Sequence, residues 1–112
     1  MDIKKLYSDV CILACEIPLF TFLLYCDTFA RMLISTYGKE YAVGEGEYIP
    51  PESIGDSYSV DGAFYGAART FVAGKVLGDA QMVDESKKEA QKVYLSLWKQ
   101  RNKGKRIKGA KW

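Results

Sequence analysis

Two runs of apolar residues at helical spacing meet at Gly78-Asp79, and this limits what the chain can fold into more than any other feature. Val60, Ala63, Phe64, Ala67, Ala68, Phe71, Val72 and Val76 keep the i, i+3, i+4 rhythm of one amphipathic helix. Met82, Val83, Ala90, Val93, Tyr94, Leu97 and Trp98 repeat that rhythm beyond the turn. The first run is rich in small residues, Gly62, Ala63, Gly66, Ala67, Ala68, Ala73 and Gly74, which let another backbone come close. Each glycine costs on the order of 1 kcal/mol of helix propensity against alanine, so close packing has to compensate. In the second helix Asp79, Asp84, Glu85 and Glu89 come early and the lysines late, which complements the helix dipole. By its place on the apolar stripe, Trp98 belongs to the core.

Upstream, the segment from Asp2 to Ala14 carries Ile3, Leu6, Tyr7, Val10, Leu13 and Ala14 on one helical stripe. The run VCILACEIPLFTFLLYC, residues 10–26, is apolar enough to raise a signal peptide or a membrane span. Glu16 and Pro18 divide it, and no small-residue cleavage site follows, so neither is expected. Glu16-Ile17-Pro18 reads instead as the end of one helix and the start of the next, because a residue before proline avoids the helical region while proline suits a first turn. The second helix carries Leu19, Phe22, Leu23, Cys26, Phe29, Ala30, Leu33 and Ile34 on a broad apolar face and stops at Gly38, as a central core helix should.

The expected fold is therefore all-α, a four-helix up-down arrangement with helices over about 2–15, 18–37, 59–77 and 80–102. Residues 38–58 form a long loop, in which Tyr41, Val43, Glu45, Glu47 and Ile49 allow a short extended piece or hairpin before Pro50-Pro51 ends it. A loop this long inside a compact domain is either partner-facing or an idle surface loop ordered by its tyrosines. Chain length fits one domain, residues 1–98, followed by a basic arm, 99–112, expected to be partly disordered.

Charge is divided along the chain. Lys99, Arg101, Lys103, Lys105, Arg106, Lys108 and Lys111 are seven of the sixteen basic residues, no acid follows Glu89, and residues 1–98 hold nine bases against fourteen acids. The arm, which ends at Trp112, can contact phosphate backbone, solubilise the terminus or seat in an acidic groove of a neighbouring subunit. Tyr41, Tyr48, Tyr58, Tyr65, Trp98 and Trp112 are more aromatics than a small helical core needs, and tyrosine and tryptophan are enriched at interfaces.

Catalytic and metal chemistry find little purchase in this composition. Histidine is absent, and three cysteines, Cys11, Cys15 and Cys26, lie in apolar surroundings, where reduced thiols behave as small buried hydrophobes. Glu45 and Glu47 are carboxylates two apart on a glycine-rich stretch, the pattern of solvated charge. GDSYS and GAFYG lack the spacing of a nucleophile elbow, and the acids around VGEGEY repel phosphate. No enzyme activity, metal or cofactor is expected.

The order of features, two helices, the loop YAVGEGEYIPPESI, then SYSVDGAFYGAARTFVAGKVLGD and a helix ending AQKVYLSLWKQRNKGK, resembles the small helical head–tail connector, or neck, proteins of tailed bacteriophages. The matching residues are Pro50, Pro51, Tyr65, Gly66, Ala67, Ala68, Asp79, Tyr94 and Trp98. The resemblance implies a non-enzymatic ring subunit, a homo-oligomer that joins portal to tail proteins and passes DNA. It implies no membrane, and a path from host cytoplasm to the virion neck. By position it makes Tyr41, Tyr48, Ile49, Pro50, Pro51 and Ile54 an interface loop, and Arg101, Lys103, Lys105, Arg106, Lys108, Lys111 and Trp112 a docking or DNA-facing arm. The apolar VCILAC departs from the more polar first helix of that family. The competing reading is a small helical nucleic-acid-binding protein that grips phosphate with its basic tail.

Overall fold

A computed structural model describes residues 1–102. It is all-α: helices take up 71% of these residues, and the only β-type pairing among them is an isolated antiparallel bridge between Asp2 and Ser57. Five α-helices follow one another, α1 (Ile3–Leu13), α2 (Leu19–Tyr37), α3 (Lys39–Ala42), α4 (Tyr65–Leu77) and α5 (Ala80–Arg101), with a 3-10 turn at Gly62–Phe64 leading into α4.

Local chemistry sets most of these boundaries. Asp2 caps α1 by accepting the backbone N–H groups of Lys4 and Lys5 at 2.9 and 3.3 Å, a contribution of about 1 kcal/mol. Pro18 stands just before α2 with an extended ψ of 137°, so it caps the helix rather than opening it. Gly38 ends α2 at φ +91°, a conformation that a side chain would strain. Asp61 accepts the N–H of Ala63 and fixes the 3-10 turn, which is why the regular helix begins at Tyr65 rather than near Ser59. At the hairpin turn Gly78 is left-handed, φ +68°, and its N–H returns to the carbonyls of Gly74 and Lys75. Asp79 then caps α5 through the N–H groups of Gln81 and Met82.

The expected extended piece after Gly38 is absent. Residues 39–42 instead make the single helical turn α3, whose Ala42 is buried and whose Ala42 carbonyl accepts the N–H of Asp61 at 2.8 Å. The glycines at 44 and 46 leave too few side chains to hold a two-stranded ladder, while an alanine-ended turn packs directly beneath α2.

The centre of the core is α4, not α2. Six of its thirteen residues, Ala67, Ala68, Phe71, Val72, Ala73 and Gly74, are buried, and it packs against α1, α2 and α5. Phe22, Phe29, Phe64 and Phe71 are fully or almost fully buried, each contributing about 1.5–3 kcal/mol relative to exposure, and Phe29 meets Phe71 at a centroid distance of 5.2 Å. The small residues do what their pattern requires where the helices cross: a Cβ on Gly74 would lie 2.9 Å from Met82 Cβ.

By length and composition α2 could cross a membrane; here 33% of that window is buried, and Asp27 and Arg31 pair along its outer side. The same side leaves Phe20 and Leu24 in solvent.

Helix α5 buries only Ser86 and Ala90 fully. Its 22 residues span about 33 Å and the 13 of α4 about 20 Å, so in an antiparallel hairpin the last turns of α5 overrun the start of α4. Trp98 lies on that overhang and is exposed, against the core position its stripe suggested.

Candidate functional site

The overhang of α5 does not hang free. Tyr94 stacks on Tyr37 at the end of α2, with centroids 4.5 Å apart, and meets Tyr41 of α3 edge-on at 5.1 Å. Two turns further, the Arg101 guanidinium sits 4.7 Å over the Tyr41 ring and donates to the Glu40 carbonyl at 2.8 Å. It also approaches the Asp61 carboxylate at 3.9 Å, an exposed pairing worth at most about 1 kcal/mol. Asn102 donates to the Tyr41 hydroxyl at 3.3 Å and to the Trp98 carbonyl at 2.8 Å. The start of the 38–58 loop and the root of the basic segment, far apart in sequence, are thus one cluster.

A second anchor holds the middle of the loop. Tyr48 donates its hydroxyl to Asp27 Oδ1 at 2.6 Å, while Arg31 holds the other oxygen of the same carboxylate at 2.9 Å. Burial raises the Tyr48 pKa first, and its bond to the Asp27 carboxylate raises it further. Just beyond, the Asp56 carboxylate accepts the N–H of Glu52, the hydroxyl of Ser53 and the N–H of Ser53, which together hold its pKa below the usual carboxylate value. Tyr58, fully buried, donates to the Cys26 carbonyl, and burial pushes its pKa well up.

These anchors sort the loop residues named from sequence. Tyr41, Tyr48 and Ile54 are half-buried and Pro51 is buried, so they fasten the loop to the body. Ile49, 70% exposed, and Pro50 are the ones turned to solvent. Among the other aromatics, Tyr58 is a core residue and Tyr65 donates to Asp9 of α1. Of the arm, Arg101 is described above; Lys103, Lys105, Arg106, Lys108, Lys111 and Trp112 lie outside the described residues. The cysteines are not uniformly buried: Cys26 is, Cys11 is half-buried, and Cys15, in the linker after α1, is exposed. Among the described residues no three His, Cys, Asp or Glu side chains are grouped to hold a metal ion.

Three features escaped the sequence reading. The Asp27–Arg31 pair is legible at i, i+4 spacing, but its capture of Tyr48 across 21 residues is not. The Tyr37–Tyr94 stack and the Arg101–Tyr41 contact likewise depend on how far α5 overruns α4. What the surface offers is a loop held at both ends beside exposed apolar and charged side chains, an arrangement suited to docking. No known protein family, curated protein or solved structure matches the chain.

Proposed function

We propose that the chain is a non-enzymatic virion assembly protein, a head–tail connector ring subunit that joins portal to tail and lets DNA pass. The observation that carries this reading is the doubly anchored loop. Tyr48 on Asp27 and Tyr41 under Arg101 hold a segment whose Ile49 and Pro50 face solvent, so a partner meets a surface already ordered. Ordering such a segment on binding would cost about 0.5–1.5 kcal/mol for each immobilised side chain, and prior anchoring removes most of that cost.

In this reading α1, α2, α4 and α5 are the four helices of the up-down arrangement, and α3 belongs to the interface loop. In this reading the cations of residues 103–112 contact a neighbouring subunit, a portal or tail protein, or the DNA backbone. Mixing the full chain with a portal ring and separating the products by size tests it. Co-elution that is lost on Ile49→Asp with Pro50→Ser supports a connector role, and no association with the ring at high protein concentration contradicts it.

The nucleic-acid-binding alternative draws on the eight bases and no acids after Glu89. It predicts duplex binding whose affinity falls steeply with salt and whose slope collapses on removal of residues 103–112. Salt-insensitive or absent binding eliminates it.

A further inference from the structure

Two exposed apolar surfaces of opposite charge lie at different ends of the molecule. One is a groove of about 270 Å³ where the Pro50-Pro51 segment crosses the start of α2, lined by Phe20, Leu23, Leu24 and the two prolines with Asp27 and Glu52 at its edge. Phe20 is 78% exposed and Leu24 51%. The other is the outer stripe of α5, where Leu95, 46% exposed, and Trp98, 44% exposed, stand between Lys92 and Lys99. At the groove the loop contributes the carboxylate of Glu52, whereas the cations nearest the stripe are Lys92 and Lys99.

We infer that the α5 stripe of one copy docks in the Phe20–Pro50 groove of a second copy, head to tail. One chain cannot make this contact with itself. The Tyr37–Tyr94 stack ties the overhang of α5 to the far end of α2, and the 17 helical steps from Phe20 to Tyr37 set the two surfaces about 25 Å apart. A contact between two different surfaces is heterologous, so it propagates until it closes into a ring or runs on as a filament. Charge selects the occupant: Arg31 already pairs with Asp27, and Glu52 is the carboxylate left at the groove to attract the lysines that flank Leu95 and Trp98. The amphipathic tryptophan brings an apolar face and an N–H donor to a groove edged by carboxylates. This deepens the connector proposal and rests on it for the premise that copies of the chain meet one another.

Sedimentation of the full chain and of two exposed-site variants, Phe20→Asp and Trp98→Asp, tests it, with circular dichroism to verify that helix content is unchanged. Wild-type mass rises past dimer with concentration. Each variant alone stays monomeric, and an equimolar mixture forms a one-to-one dimer and stops there, because it retains one intact groove and one intact stripe. Three results overturn the inference: a wild-type chain that stays monomeric at millimolar concentration, self-association that survives Trp98→Asp, or a monomer whose Phe20 surface binds neutral lipid vesicles instead. Portal binding is a separate measurement, so a failed docking contact and a failed connector role are told apart.

Discussion

Gly74 and Gly66 look alike in sequence, and the structure gives them opposite consequences. A Cβ at Gly74 meets Met82 Cβ at 2.9 Å and the Val83 backbone nitrogen at 3.1 Å, so Gly74→Ala must push α5 away from α4. It should cost about 1–3 kcal/mol in chemical denaturation, the range for overpacking. At Gly66 the nearest atom is the far end of the flexible Glu89 side chain, which can swing aside. Gly66→Ala should therefore be neutral or gain up to about 1 kcal/mol from helix propensity.

Titration gives two further checks at this scale. The N–H of Glu52, with the hydroxyl and N–H of Ser53, favours ionised Asp56, so its folded pKa lies below the ordinary carboxylate value of about 3.9. The stability this lends the loop is complete above that ordinary value and disappears as pH falls through the lowered one. The Glu52 and Ser53 amide resonances should follow that transition in acid, and an Asp56 titrating at or above the ordinary value would contradict the turn. Tyr65 behaves oppositely: burial and its bond to Asp9 push its pKa up to about 12. Its contribution is present below the unfolded value near 10 and lost as pH rises toward about 12, and ultraviolet titration of wild type against Tyr65→Phe reads it.

At the scale of elements, periodicity and caps made α1, α2, α4 and α5 legible, because each depends on residues no more than four apart. Asp2 and Asp79 announce helix starts, and Gly38 and Gly78 announce ends. The places where the sequence misled depend on contacts from afar. Trp98 looks like a core residue by spacing alone, but burial needs a partner helix, and the start of α4 falls short of it. The loop tyrosines read as interface residues because their partners, Asp27 and Arg101, are distant in the chain. α2 has the more continuous apolar run and was expected at the centre, yet α4 takes that place because its alanines and glycine admit three neighbours. The clasp at the end of α5 predicts that Arg101→Ala leaves far-UV circular dichroism unchanged. It should accelerate hydrogen exchange by roughly five- to thirty-fold at residues 40–44, through loss of a cation–π contact and a hydrogen bond each worth about 1 kcal/mol. Unchanged exchange there would remove the clasp from the account.

The described residues form an elongated body, 53 × 30 × 20 Å, in which Arg101 ties the root of the basic stretch to the start of the acidic loop. A polar helix that buries only two residues, lying opposite an apolar groove, leaves surfaces that copies of the chain can complete for one another. The central claim is that the chain functions by assembling. Electron microscopy of the concentrated full-length protein, alone and after mixing with a portal ring, tests this most directly. The account predicts closed rings, or rings seated coaxially on the portal, because a heterologous contact repeats around an axis until it closes. Isolated particles that neither close into rings nor sit on the portal at any concentration would contradict it.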